Sequence, residues 1–216
     1  MDSSYRYTLL LDSFTKDLPP VYRAMALIGK GRYYSTSKPD FSKKIYEEAL
    51  VLLTDSGADS IIARAYNGIG IYYIKRSDYS NALDNYFKAL RLFEKSSDFN
   101  GLGGVLANIG EVYQVKNDIP SAKKYIQRSM EVNKNNNNIN SYLDAAQTLA
   151  NIYGMNNQFD SAMAIDRMGI AASDSVGSTS LKSAFYNNLG NCYMYSDPPD
   201  SARYYLTQCV AMDSAN

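Results

Sequence analysis

The sequence predicts an all-α fold, a right-handed α-solenoid of about five helix-turn-helix hairpins. Three observations predict it. Written in rows of 40, the chain repeats itself: Gly70, Gly110, Ala150 and Gly190 share one column, Tyr73, Tyr113, Tyr153 and Tyr193 a second, and Ala82, Ala122, Ala162 and Ala202 a third. Ile69, Ile109, Leu149 and Leu189 keep a fourth column apolar, while Ala89, Ser129, Gly169 and Cys209 keep a fifth mostly small. Each copy holds two stretches of helical periodicity on either side of a short breaker, and self-similarity at a fixed period of this length is the mark of stacked helical repeats.

The elements follow in chain order. Residues 1–19 are expected as an N-terminal helix equivalent to the second helix of a preceding copy, because LLLDS near the start resembles LVLLTDS at Leu50 to Ser56 and VAMDS at Val210 to Ser214. The array proper covers 20–216, with repeats at approximately 23–62, 63–102, 103–142, 143–182 and 183–216. The first copy is the weakest: Tyr33, Tyr46 and Ala49 fit their columns, but Lys30 stands where a small residue should be. In the second copy Ala65, Tyr66, Ile69, Tyr72 and Tyr73 recur at helical spacing, Ser77 and Asp78 interrupt, and Ala82, Tyr86, Ala89, Leu90 and Phe93 resume. Pro39-Asp40, Asp118-Ile119-Pro120 and Pro198-Pro199-Asp200 put capping aspartates and first-turn prolines where second helices should begin. Asn133 to Asn140 and Ser173 to Ser180 are polar, turn-forming stretches and are expected as inter-repeat loops.

These residues resemble the tetratricopeptide repeat (TPR) family, whose hairpin follows W-x2-L-G-x2-Y and then A-x3-F with a further small residue. The match reads Tyr66, Ile69, Gly70, Tyr73, Ala82, Tyr86, Ala89 in copy two, Leu106, Ile109, Gly110, Tyr113, Ala122, Ile126, Ser129 in copy three, and Tyr186, Leu189, Gly190, Tyr193, Ala202, Leu206, Cys209 in copy five. Copy four departs, with Ala146, Ala150, Gly169 and, at the bulky position of its second helix, Asp166; either Ile165 takes over the packing or this repeat is locally irregular. The period is 40 where the family norm is about 34. Similar 40-residue arrays occur in bacterial signalling and regulatory proteins, and the resemblance implies a sensing or partner-docking part of a longer chain.

The pattern has a physical reason. Small residues let two helices approach, and the tyrosine and aliphatic columns fill the gaps between hairpins. Gly110→Leu is therefore expected to cost about 1–3 kcal/mol by overpacking. A single hairpin cannot bury both faces, so stability comes from stacking, and solenoid ends need caps. The last hairpin has no polar covering helix after it, so the chain is expected to be a piece of a longer protein or to self-associate through its ends.

Composition narrows the chemistry. The 216 residues carry 22 basic and 22 acidic side chains, no histidine, no tryptophan and two cysteines. Without histidine the usual general base, metal ligand and near-neutral switch are missing, so Ser-His and Cys-His catalysis are excluded. Zero net charge and no long basic run give no footprint for nucleic acid or an anionic membrane. Nor does the start of the chain read as a signal peptide or membrane span. Cys192 and Cys209 are expected as buried free thiols, and two cysteines without histidine make no zinc site. Gly101, Gly103 and Gly104 lack the strand and lysine of a phosphate loop. The seven basic residues from Lys16 to Lys44, against Asp17 and Asp40, either form a solvated end face or steer an acidic partner. No cofactor and no metal is expected, and the chain reads as non-catalytic.

What remains is binding. The resemblance implies that first helices line the concave groove, and the residues there are Asn67, Ile71, Asn108, Glu111, Gln147, Asn151, Asn187, Asn188, Asn191 and Met194, with Tyr72 and Tyr195 nearby. Carboxamides offer a donor and an acceptor and can pair with the backbone of an extended peptide; asparagine is also common at two of these columns in the family, where it ties helices together. Both readings stand. A family clamp for a partner's terminal carboxylate needs lysines and arginines at positions that here hold Leu27, Gly31, Asn67, Ile71, Gly104 and Asn108, so that clamp is absent. The expected partner is a peptide or protein segment in the groove; a structural scaffold acting through its ends and convex face is the alternative.

Overall fold

The structure is a computed structural model and describes residues 17–196 and 199–213. Among these residues are ten α-helices and no strand: α1 (Pro20–Tyr34), α2 (Pro39–Leu52), α3 (Asp59–Ile74), α4 (Tyr79–Ser96), α5 (Phe99–Val115), α6 (Ile119–Asn135), α7 (Ile139–Met155), α8 (Phe159–Ser175), α9 (Thr179–Ser196) and α10 (Pro199–Asp213). They alternate as first and second helices of five hairpins, the fold class the repeat columns predict. Of the helix expected over residues 1–19, residues 1–16 lie outside the described residues, and 17–19 are turn and coil ahead of α1. Two compact units divide the chain, Met1–Val105 and Leu106–Asn216, with α5 crossing from one to the other.

In the first unit the small columns are where helices meet. The Tyr46 ring of α2 is buried at 4% exposure between Gly31 of α1 and Gly68 of α3. A Cβ at Gly31 would come within 2.7 Å of that ring and one at Gly68 within 2.3 Å, so only glycine permits either approach. Gly70 opens the same space for Tyr86 and Gly101 for Phe93. The glycines at 101, 103 and 104 thus belong to a helix, one of them as a seat for an aromatic ring. Ala24, Ala49 and Leu53 form a second buried cluster against Leu27, Ile28 and Ile62.

The second unit uses the same device, with aliphatic side chains at two of its three seats. Ile126 packs on Gly110, Leu206 on Gly190, and Phe185 on Gly169. Ala122, Ile126, Leu143, Ala146, Leu149, Ile152 and Phe185 make its main core. The tyrosine column is only half-buried, and its rings stack inside their own hairpins as well as filling gaps: Tyr113 lies flat on Tyr125 at 5.5 Å and Tyr193 on Tyr205 at 5.3 Å.

The turns explain much of the asparagine. Between the helices of a hairpin, Ser77, Asn117 and Asn157 take positive φ of 57–59°; between hairpins, Ser97, Asn137 and Gly177 take 53–64°. Asparagine visits this left-handed region more readily than most residues. In each turn the N–H that follows closes back on a helix carbonyl, Asp78 to Tyr73, Asp118 to Tyr113, Gln158 to Tyr153, Asp98 to Phe93, Asn138 to Asn133 and Ser178 to Ser173, at 2.9–3.2 Å. These closures shorten the loops. The stretches 133–140 and 173–180, expected as loops, are mostly helical, because α6 runs to Asn135 and α8 to Ser175 before turns of three residues.

The caps divide in the same way. Asp78 and Asp118 accept from the N–H of Asn81 and Ser121 at 3.2 Å, and Asp98 accepts from Gly101 N–H at 3.0 Å. Asp40 does not cap: the N-cap residue of α2 is Lys38, which makes no side-chain capping bond, and Asp40, in the first turn, instead accepts from Tyr72 and pairs with Arg76. The basic residues around it are engaged rather than bare, with Lys30 over Phe41, Lys38 over Tyr34 and Lys43 over Tyr72 and Tyr73. Copy four is regular. Asp166 keeps its register at 0% exposure while Ile165 packs partly against the main core of this unit, so neither expected alternative holds by itself.

Candidate functional site

Within each unit the first helices touch, α1 with α3 and α7 with α9, whereas among the described residues no comparable contact joins α2 to α4 or α8 to α10. Elements packed closer on one side mark the inner layer, so the open side of the first helices is the inner face of each unit.

The repeat places the candidate residues on that layer in two registers. Pairs four residues apart lie on one side of a helix. Asn67 and Ile71 form such a pair on α3, Gln147 and Asn151 on α7, and Asn187 and Asn191 on α9; Glu111 of α5 shares the column of Asn151 and Asn191. Glu111, Asn151, Asn187 and Asn191 are exposed, and Asn67, Ile71 and Gln147 are half-buried. Among the described residues the side chains of Gln147, Asn151, Asn187 and Asn191 make no hydrogen bond. Met194 lies one turn beyond Asn191, 61% exposed. Protein around Glu111 desolvates its carboxyl and raises its pKa even though water reaches the side chain.

The second register, Asn108 and Asn188, is rotated by about 100° and half-buried. Asn188 turns its amide nitrogen to Oδ1 of Asp166 on α8, 3.4 Å away, so it ties one hairpin to the next. Tyr72 is committed elsewhere, donating to Asp40 at 2.8 Å beneath the Arg76 guanidinium, and Tyr195 stacks on Phe159 at 5.8 Å.

Three further features have chemical consequences. The Asp98 carboxyl is raised by burial, but the Ser60 hydroxyl, the Gly101 N–H and Arg64 together hold it below its ordinary value. Burial, partly offset by the Asn188 bond, pushes Asp166 up to about 7. Burial and then the charge of Asp166 push the Cys192 thiol up to about 11; Cys209 is only half-buried, short of the full burial expected, because α10 leaves part of it open beside the Ser183 hydroxyl at 3.2 Å. Sequence reasoning noticed Asp166 as a broken column but assigned it no role, because a column break does not say where the side chain goes.

Comparison with known proteins bears on the fold. No protein-family model and no curated protein matches the chain. Solved structures do. BtubC (BKLC) from P. vanneervenii superposes with a TM-score of 0.86 at 13% identity, covering 99% of this chain and 89% of that one. A signal transduction ATPase from Pyrococcus horikoshii with a tetratricopeptide repeat sensor matches at TM-score 0.83 and 12% identity, covering 96% of this chain but 32% of the ATPase. By fold, this chain is a TPR array. YrrB, a TPR protein with an unusual peptide-binding site, matches at TM-score 0.59 and 22% identity over 94% of this chain and 92% of its own. The shared TPR fold accounts for the two-helix unit and the small columns. Among the described residues no helix is long and apolar enough to cross a membrane.

Proposed function

We propose that this TPR array is a non-catalytic module that captures an extended peptide or protein segment on the inner face of its first helices, as the sensing or docking part of a signalling or regulatory protein. The observation that carries this is the row Gln147, Asn151, Asn187 and Asn191 in the second unit: four carboxamides, three of them exposed, on adjoining first helices, none used internally among the described residues. Each presents one acceptor and two donors, which suits the alternating N–H and C=O of an extended backbone. Met194 beside them supplies adaptable apolar contact. The repeat sensor of the ATPase and the peptide site of YrrB, both on this fold, support the reading. The test is selection of binders from a displayed peptide library, followed by replacement of Asn151, Asn187 and Asn191 together by Ala. Binding should weaken at least tenfold; peptides that bind the triple variant unchanged would remove the inner face from the account.

A second reading has its own observation. On α10, Tyr204 and Val210 are 56% and 66% exposed, which fits self-association or scaffold contacts through the last hairpin. Light scattering of the chain and of Tyr204→Ser/Val210→Ser separates the two, since a monomer at all concentrations argues against it.

A further inference from the structure

The fourth repeat, regular in its backbone, lacks the pairing of a bulky residue with a glycine that the second, third and fifth repeats share. At this register of the second helix the chain places Tyr46, Tyr86, Ile126 and Leu206, the last three over Gly70, Gly110 and Gly190 of their own first helices. In copy four the glycine becomes Ala150 and the bulky side chain becomes Asp166. The two changes compensate in volume: the added methyl occupies space that a larger side chain would need. They do not compensate in polarity. Asp166 is 0% exposed, its Oδ1 has the 3.4 Å bond from Asn188, and its Oδ2 has no partner among the described residues.

The surroundings offer the carboxylate no countercharge. Asn188 of α9 gives it a hydrogen bond and the buried Cys192 thiol of α9 feels its charge, while on the same hairpins Leu189, Tyr193 and Tyr153 pack into an apolar cluster with Ala162 and Met163 of α8. The Tyr153 hydroxyl accepts from Gln127, and the Tyr193 hydroxyl accepts from Arg167, the neighbour of Asp166 on α8. Among the described residues Asp166 has no ion pair. An ionised carboxylate with one long hydrogen bond in such a place is far costlier than a neutral acid.

Asn188 connects this buried acid to the inner face. It lies one residue after Asn187 and three before Asn191 on α9, so the bond it gives Asp166 joins the packing of Phe185, Leu189 and Cys192 in holding the turn that presents those two carboxamides. We propose that Asp166 is a proton-controlled positioning residue for the binding face: the neutral acid can stay in its dry site and lets α9 dock on α8, whereas the ionised carboxylate draws water to its unpartnered oxygen and loosens α9 and the Asn187–Asn191 turn, against the Asn188 bond that it accepts more strongly. The proposal rests on the peptide-capture reading for its use, but its mechanism is testable without any peptide.

The experiment is NMR of the full chain from pH 5 to 8.5, following the Asn188 side-chain amide, the Asp166 carboxyl carbon and amide hydrogen exchange along α9. With protonation in control, the Asp166 carbon and the Asn188 amide titrate together near neutrality. Above that midpoint, exchange in residues 187–193 accelerates about tenfold beyond the ordinary pH dependence. In Asp166→Asn the Asn188 titration disappears and α9 exchange loses the extra acceleration. In Asn188→Ala the Asp166 midpoint rises, because the hydrogen bond that favours the ionised form is gone. An Asn188 amide indifferent to pH, or one that titrates equally in Asp166→Asn, overturns the proposal. That result would leave peptide capture standing, whereas failure of the Asn151/Asn187/Asn191 test would leave the Asp166 titration standing.

Discussion

Gly68→Ala is the most demanding test of the packing logic, because the same substitution elsewhere should have the opposite sign. An added Cβ at Gly68 would sit 2.3, 2.5 and 2.7 Å from three atoms of the Tyr46 ring. Ordinary carbon contacts are about 3.5–4.0 Å, so ring or helix must retreat by about 1 Å. The ring cannot simply swing away, since it is 4% exposed and Gly31 backs it on its other side, where even a virtual Cβ would lie at 2.7 Å. Overpacking of this kind costs about 1–3 kcal/mol, and the upper end applies when two helices must part. Against it stands a helix-propensity gain of about 1 kcal/mol for Ala over Gly. The net is about 2 kcal/mol of destabilisation, or roughly 4–8 °C in thermal midpoint for a chain of this size. Gly29→Ala is the control: that glycine is exposed on α1 with nothing within 4 Å of its virtual Cβ, so only the propensity gain of about 0.5–1 kcal/mol remains. Thermal and urea denaturation followed by circular dichroism measure both. Tyr46→Leu should relieve part of the cost in the double variant. A Gly68→Ala protein as stable as the parent, or a double-variant cycle with no coupling, refutes the claim that Tyr46 is wedged between two hairpins.

Three other outcomes follow from the structure. Asp166 is raised in the folded state from 3.8 to about 7, so the native chain holds the proton more tightly than the unfolded one; its contribution is full below about pH 4, declines as pH rises to about 7, and is flat beyond. About three pKa units correspond to up to about 4 kcal/mol, and urea midpoints at pH 4.5, 6 and 7.5 should show a slope that Asp166→Asn abolishes. Asp98 has the opposite sign: lowered in the fold, it stabilises above about pH 4 and loses that contribution as acid protonates it, and Asp98→Ala should cost about 1–2 kcal/mol in chemical denaturation through loss of the cap on α5 and the Ser60 and Arg64 contacts. With Cys209 replaced by Ala, the native chain should react with a thiol reagent at pH 8 far more slowly than the unfolded chain, since burial keeps the Cys192 thiol neutral up to about 11; rapid stoichiometric labelling would contradict its burial.

The candidate face was partly legible for a reason of register. Columns 40 residues apart reveal which positions share an environment, and from them the first helices, and so Glu111, Asn151 and Asn191 on them, are legible in the sequence. They could not tell the exposed carboxamides of Asn187 and Asn191 from the engaged one of Asn188, because a step of one residue turns a side chain by about 100° and only the neighbouring helix decides what it meets. The loop asparagines were visible as polar stretches, but their roles in left-handed turns at Asn117, Asn137 and Asn157 depend on how each helix terminates. The aspartate of Pro39-Asp40 read as a cap because it opens a helix; in the fold Arg76 and Tyr72, more than 30 residues later, claim it.

By itself the sequence determined the helical hairpin, its number of copies and its small-against-bulky packing, because those are encoded by local periodicity and multiplied five times over. Tertiary structure decided the rest. That Tyr46 occupies the gap between Gly31 and Gly68, that Asp166 lies in a dry site with Asn188 as its one hydrogen-bond partner among the described residues, and that Gln147, Asn151, Asn187 and Asn191 make no side-chain hydrogen bond among those residues are facts about neighbours distant in sequence. Recurrence fixes which residues are equivalent, while burial and hydrogen bonding depend on what packs across from each one.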